Sequence, residues 1–410
     1  MKYRYIRECK PILINQKRLF VPKEEKRNTE FIEYNLPYIS SSLRPIYDVS
    51  KAKDLKKTND NKKTGNKNCF QGQIPGNDAF LLPKAEAKTI IQKESFYNDV
   101  LCPYLVAEDL LGTKDSLHKR YAIDFNNLDI FSIQKYDKLY KIIEKNVLPK
   151  VKELAAKQEL ENKTNSVKKD DRIKHYKIWW TFWCSRTSLM QKLHSSQKYI
   201  ACGRITKRPI FEFVSSKIHP SDLIVAFTFE DDYSFAILSS NCHYKWYNAR
   251  CSTMKGDDRY TNTTCYNSFV WPQFGIPFAK NPDKYLEENK KEITELISNV
   301  AKCAREFYLK RDEIRRTCKM SLRDIYRTME KHGENSLRNL QDKLNEAVLE
   351  CYKYGTPKSI QSDDILEMLY NLNIKCAEFE EKDIQLLSPG LPNFLKDNSE
   401  FYTNYCIKPE

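Results

Sequence analysis

The chain carries 69 Lys and Arg against 55 Asp and Glu over 410 residues, a net charge of +14 that suits a polyanionic partner or a merely solvated surface. Its length exceeds one ordinary core and implies two or three domains. A mean hydropathy of −0.68, no run near the ~18 apolar residues of a spanning helix, and an N-terminus without an apolar centre argue against membrane insertion and export, so a cytoplasmic protein is expected.

Residues 1–50 read as short strands and turns (KYRYI, KPILINQKRLFVP, EFIEYNLPYI). The polar stretch KAKDLKKTNDNKKTGNKN, residues 51–68, reads as a solvated linker or long loop. CFQGQIPGNDAFLL then predicts two short strands around a tight loop, and PKAEAKTIIQK a helix. From about Asp129 to His194 the pattern is helical, with Leu139, Ile142, Ile143 and Val147 on one stripe. Trp179, Trp180 and Trp183 near its end are expected in the core. Between Lys198 and Ser240 the period shortens, and KYIACGRI, PIFEFVSS, DLIVAFTFE and YSFAILSS all read as strands, the last two joined in a hairpin by Glu230-Asp231-Asp232. Beyond Pro272, Pro277 and Pro282 the chain is helical again to near residue 385, with Ile293, Leu296, Val300, Ala304, Phe307 and Ile314 on one face. Ser321 and Ser362 are the expected N-caps of two later helices. The fold class is therefore α+β, a mixed α/β domain followed by a C-terminal helical bundle.

Catalytic signatures are missing. Neither G-x-G-x-x-G nor a P-loop occurs among the ten glycines, and there is no G-x-S-x-G elbow. Asp283, Glu288 and Lys290 fall too close together, on a predicted helix, for a metal-dependent nuclease. The Glu230–Asp232 run reads as an acidic turn before it reads as a cation site. The thirteen cysteines are scattered, which fits reduced thiols, and Cys242-His243 with Cys251 lacks a fourth ligand at finger-like spacing, so no zinc is expected.

Two basic segments remain. CGRITKRPIFEF places Arg204, Lys207 and Arg208 in a turn between strands, where cations can meet a phosphate backbone; a solvated turn is the alternative. RCSTMKGDDRYTNT carries Arg250, Lys255, Asp257 and Arg259. Lys255 and Asp257 are two apart, so in an extended strand they point the same way, an ammonium beside a carboxylate. Such a pair can read one G·C pair, donating to guanine O6 or N7 and accepting from cytosine N4. It can equally be an ordinary surface ion pair.

Several stretches, in order from about residue 30 to residue 392, resemble one family: CFQGQIPGNDAFLL, ITKRPIFEFVSS, FTFEDDYSFAILSS, CSTMKGDDRYTNTTCYNSFVWPQ, SLRDIYRTMEKHGENSLRNLQDKLNEAV and SPGLP. The family is the MmeI-like type IIL restriction–modification proteins, which carry an adenine-N6 DNA methyltransferase. The resemblance implies a target-recognition domain over 67–278, with a helical insertion at about 129–197, and a C-terminal helical domain over 279–410. Residues 1–66 would be the edge of a methyltransferase domain plus the linker. It also implies sequence-specific recognition of double-stranded DNA. Base reading in the family uses a pair two apart just before an R-Y-[ST] element, which falls on Lys255 and Asp257 ahead of Arg259-Tyr260-Thr261. Arg204, Lys207, Arg208, Arg250 and Arg259 are then the candidates for backbone or groove contacts.

The family's N-terminal nuclease, S-adenosylmethionine loop and [NDS]-P-P-[YF] motif have no counterpart here, since the chain contains no P-P dipeptide. The expectation is a chain inactive alone, with S-adenosylmethionine and Mg²⁺ confined to a missing catalytic part. That part would be a separately encoded methyltransferase or endonuclease, or the chain a gene remnant. The rival classes are a protein-interaction scaffold and a self-sufficient methyltransferase or nuclease with an unrecognised site.

Overall fold

A computed structural model describes residues 47–61, 66–115, 118–254 and 257–409, and three backbone strands before them. Those strands, Ile12–Ile14, Arg18–Pro22 and Phe31–Asn35, form an antiparallel three-stranded sheet. KYRYI lies outside the described residues.

The central sheet is antiparallel and orders its strands Glu212–Ser215, Lys198–Gly203, Ile224–Phe227 and Cys69–Gln71. Ile200, Ala201, Val225 and Phe227 are all sealed from solvent. A sheet covered on both faces needs continuous apolar strands rather than alternating ones, as the sequence supplies here. One cover comes from the C-terminal helices Pro282–Cys318, Leu322–Met329, Ser336–Lys353 and Ile365–Glu381. Phe213 stacks on Phe235 at 4.9 Å and meets Tyr308 of the long helix edge-on at 5.9 Å. Sheet and C-terminal helices thus share one hydrophobic core.

A second core is built around the strands His219–Pro220, Leu101–Leu105, Arg120–Ile123 and Leu81–Pro83. Helices Lys84–Lys93, Asp137–Asn146 and Leu148–Thr164 accompany it, and Leu139, Ile143 and Val147 of the predicted stripe are buried there. The strands flanking the QGQIPGN loop therefore lie in different sheets. Gly72 makes that crossing possible: a Cβ there would stand 2.2 Å and 2.3 Å from the carbonyl oxygens of Ser221 and Pro220.

Four local expectations change. YSFAILSS is not a strand but the helix Asp232–Ser239. Asp231 caps it, accepting from the Ser234 N–H at 2.7 Å and the Ser234 hydroxyl at 2.8 Å. Every residue from Asp232 to Leu238 is buried, and an apolar run buried all round carries no period to tell strand from helix. The tryptophans follow the end of helix Asp171–Tyr176 in turns, with Trp179 in the second core, Trp180 packed against it and Trp183 half-buried on the wall of a cleft. Ser321 is an N-cap as expected, but the last long helix is capped by Asp364 instead of Ser362. The described part of the Lys-rich stretch is not a free linker: it carries the short helix Lys56–Asn59 and is pinned to the body. Leu55 enters the core, and the Asn59 amide donates to the carbonyls of Tyr266, Asn267 and Phe269 at 3.2, 3.1 and 2.8 Å.

Candidate nucleic-acid interface

The predicted base-reading segment folds as a β-hairpin, Ser252–Met254 against Asp257–Arg259, with Met254 opposite Asp257. Lys255 lies outside the described residues, and Asp257 opens the second strand.

The hairpin is sewn to the other basic segment. The Thr206 N–H donates to the Asp258 carbonyl at 2.9 Å, and the Tyr260 N–H to the Arg204 carbonyl at 2.8 Å. Ile205 and Arg259 form the bridge between them. A buried aromatic block fixes this join from beneath: Tyr247 stacks on Tyr260 at 5.6 Å, and its hydroxyl donates to the Thr206 carbonyl at 2.5 Å. His243 Nε2 lies 2.9 Å from the Tyr260 hydroxyl. Burial lowers the His243 pKa to about 3, so the imidazole is neutral and stays so.

This geometry gathers some of the predicted cations and diverts others. Partial burial pulls the Arg204 guanidinium below its ordinary pKa, and the neighbouring guanidinium of Arg259, then that of Arg186, add to the effect. Asp222 opposes them in part, and Arg204 and Arg259 adjoin through the Ile205–Arg259 bridge beside the hairpin, with Arg186 near enough to act on the Arg204 charge. Lys207 is exposed in the same turn. Arg208 instead pairs with Glu330 at 2.7 Å and lies over the rings of Tyr244 and Tyr326. Arg250 donates to the carbonyls of Val49 and Ser50 at 3.2 Å and of Thr264 at 3.3 Å, strapping the start of the described body to the hairpin.

Arg186 is the residue that sequence reasoning missed. It precedes helix Thr187–His194 in a left-handed conformation, φ 56°. Its Nη2 donates to Gln71 Oε1 at 3.0 Å and its Nε to the Gly72 carbonyl at 3.3 Å. No local pattern marks it, because the fold alone brings it to Arg204. It also lines a cleft of about 770 Å³ together with Lys67, Lys174, Phe70 and Trp183. The Arg172 guanidinium sits 3.7 Å over the Trp183 ring.

The acidic run has structural work to do. Glu230 accepts from the N–H groups of Gln197 and Lys198 at 2.7 and 3.2 Å, and Asp231 is the cap. Asp232 pairs with Arg305 at 2.6 Å. Among the described residues no helix is long and apolar enough to cross a membrane.

Comparison with known proteins places this architecture. A family model described as the MmeI target recognition domain matches residues 50–273, more than half of the chain. No curated protein matches. Among solved structures, the type IIL restriction-modification enzyme MmeI in complex with DNA is similar with a TM-score of 0.61 at 16% identity. The similarity covers 88% of this chain but only 42% of that one, and it shows a common fold. The hairpin, the arginine patch and the central sheet all fall within residues 50–273, and the chain belongs to the MmeI target recognition domain family.

Proposed function

We propose that the chain reads a specific sequence in duplex DNA, as the specificity part of a site-specific adenine-N6 methyltransferase of the type IIL restriction–modification class. The observation that carries this reading is the joining of two sequence-distant basic segments into one ribbon, through the Thr206–Asp258 and Arg204–Tyr260 hydrogen bonds. That ribbon sets Arg204 and Arg259 beside the hairpin of Asp257. The membership in a target-recognition family and the likeness to an enzyme bound to DNA support it further.

In this reading Lys255 and Asp257 discriminate one G·C pair, a contact worth about 1–3 kcal/mol. Arg204, Arg259 and Lys207 hold the phosphate backbone and set the register without reading bases, and Arg186, tied to Gln71 and Gly72, adds its charge behind them. Arg208 and Arg250, occupied within the protein, support the surface from behind. The reading assigns neither S-adenosylmethionine nor Mg²⁺ to residues of this chain; methyl transfer is left to a catalytic segment or partner chain.

The test is selection of randomised duplexes by the purified chain at two salt concentrations, beside a variant with Lys255 and Asp257 exchanged. A motif that changes at one base pair in the variant supports the reading. Salt-sensitive binding without a motif removes base reading from this chain, and no binding at either salt overturns the proposal.

A further inference from the structure

Away from the basic ribbon, three metal-ligating side chains meet where the two cores adjoin. Strand His219–Pro220 runs parallel to Leu101–Leu105, with His219 opposite Tyr104. Strand Arg120–Ile123 pairs antiparallel with Leu101–Leu105 on the other side, Cys102 opposite Ala122. Asp124 follows at once, held by its N–H to the Val100 carbonyl at 2.8 Å. This register brings one ligand atom each from Cys102, Asp124 and His219 within 4.8 Å of one another.

The surroundings are unusual for a buried polar cluster. His219 is 7% exposed, and its Nδ1 has no hydrogen-bond partner. That nitrogen stands 3.5 Å from Asp124 Oδ2, at the far limit for a hydrogen bond. Gln73 is fully buried beside them, its Nε2 3.5 Å from Asp124 Oδ2, and its Oε1 has no partner either. Ser221, two residues beyond His219, likewise keeps a buried hydroxyl without a partner. Orphaned buried polar atoms cost about 1–3 kcal/mol each, so the His219 Nδ1 and Gln73 Oε1 atoms left beside Asp124 call for a partner.

We propose that Cys102, Asp124 and His219 bind a divalent metal ion of the zinc class, with a water as the fourth ligand. Tetrahedral bonds of about 2.0–2.1 Å to nitrogen and oxygen separate those ligands by roughly 3.3 Å, close to the observed His219–Asp124 spacing. Thiolate, imidazole and carboxylate together suit a borderline-soft ion better than Mg²⁺ or Ca²⁺. One thiolate and one carboxylate also neutralise a dication, which keeps the cost of burying the charge low. Cys102 binds as the thiolate and its proton passes to solvent.

An outer shell is in place. Asn126 donates to the other Asp124 oxygen at 2.6 Å, orienting the carboxylate. Asn126 in turn accepts from the Phe182 N–H at 2.8 Å, and Gln73 donates to the Ser185 carbonyl at 3.1 Å. Phe182, Ser185 and Asn126 line the cleft that Arg186 shares. The ion is therefore a staple: it ties the short strand His219–Pro220 to the strands Leu101–Leu105 and Arg120–Ile123 of the second sheet, next to the cleft that Arg186 lines.

The full chain, purified without chelator, is expected to carry about one zinc per molecule by elemental analysis, as a single site requires. Cobalt exchanged into it should give the intense near-ultraviolet band of a thiolate–cobalt bond. Cys102→Ser and His219→Gln should each lose at least tenfold in metal affinity, with the band vanishing in Cys102→Ser. A folded wild type that takes up no metal, or gives no thiolate band with cobalt, overturns the site whatever the variants do. Full metal retention in folded Cys102→Ser and His219→Gln overturns it as well, and leaves a hydrogen-bonded Cys–Asp–His cluster only.

Discussion

Arg311 of the long helix and Glu212 of the central sheet form an ion pair at 2.9 Å with 0% and 1% of their side chains exposed. Arg311 also donates to the Phe211 carbonyl at 2.8 Å. Burial opposes the guanidinium charge, but Glu212 and the hydroxyls of Tyr326 and Tyr405 offset it and hold the group firmly protonated. The pair fixes the C-terminal helices against the edge strand that follows the basic turn, so it governs how the two halves of the main core meet.

Removing one partner leaves a buried charge without compensation. Arg311→Met and Glu212→Gln should each cost about 3–5 kcal/mol in chemical denaturation. An apolar pair of similar volume should recover most of it, because the ion pair itself has to offset its own desolvation. Single variants as stable as the wild type would mean that the pair contributes nothing to joining helix and sheet.

The arginines separate into two classes with different readouts. Arg204→Ala and Arg259→Ala should weaken binding about equally on all sequences, and each should reduce the slope of log affinity against log salt by about 1. Arg208→Ala and Arg250→Ala should leave that slope unchanged and lower stability instead, since Glu330 and the carbonyls of Val49, Ser50 and Thr264 lose their donor. Fluorescence anisotropy across a salt series separates the classes. An unchanged slope for Arg204→Ala and Arg259→Ala would remove the patch from the interface.

Asn59 holds the Lys-rich stretch against the segment after the hairpin. Its amide satisfies three buried carbonyls, at Tyr266, Asn267 and Phe269. Asn59→Ala should cost about 1–3 kcal/mol, because the buried Phe269 carbonyl loses its donor while Tyr266 and Asn267 keep the N–H groups of Phe269 and Leu55. Hydrogen exchange should rise in 56–61 and 262–269 before it rises in the central sheet. Uniform protection in both segments would count against this anchoring.

Much of this architecture is legible in the chain, and the exceptions share a cause. Ile293, Val300, Ala304 and Phe307 announce the long helix because one face is wet and the other dry. YSFAILSS misleads because both faces are dry, and only the Asp231 cap with Ser234 three residues on records the helix. Composition makes the Lys-rich stretch look like linker, yet Leu55, Asn59 and the hydrogen bonds of Lys53, Lys57 and Thr58 to the last long helix pin it. The basic turn and the hairpin are each visible alone, but their pairing through Thr206 and Asp258 is a tertiary fact. Arg186 and the Cys102–Asp124–His219 cluster are invisible for the same reason: a loop before a helix brings the one to Gln71 and Gly72, and sheet register assembles the other.

His243 makes the hairpin's foundation sensitive to acid. The ring is packed among Phe211, Tyr260 and Phe269, with centroids 5.5, 5.7 and 4.9 Å away. Burial holds its pKa at about 3 in the folded protein, against about 6.5 in an unfolded chain. Above about 6.5 both states are neutral and the group contributes no pH dependence. Below it the unfolded chain takes up a proton that the folded one refuses, so stability falls by about 1.4 kcal/mol per pH unit until the folded ring itself protonates. By pH 5 the loss from this group should be about 2 kcal/mol. Asp231, which burial raises to about 6, and His175, which burial lowers, also contribute in this window, so the effect of His243 is read from the difference between wild type and a His243 variant in urea denaturation at pH 7.5 and pH 5. His243→Gln, which keeps a polar partner for the Tyr260 hydroxyl, should start less stable at pH 7.5 and lose about 2 kcal/mol less than the wild type on acidification. Equal losses in the two proteins would show that the ring takes its proton inside the fold, and that the aromatic block under the hairpin is wetter than its packing implies.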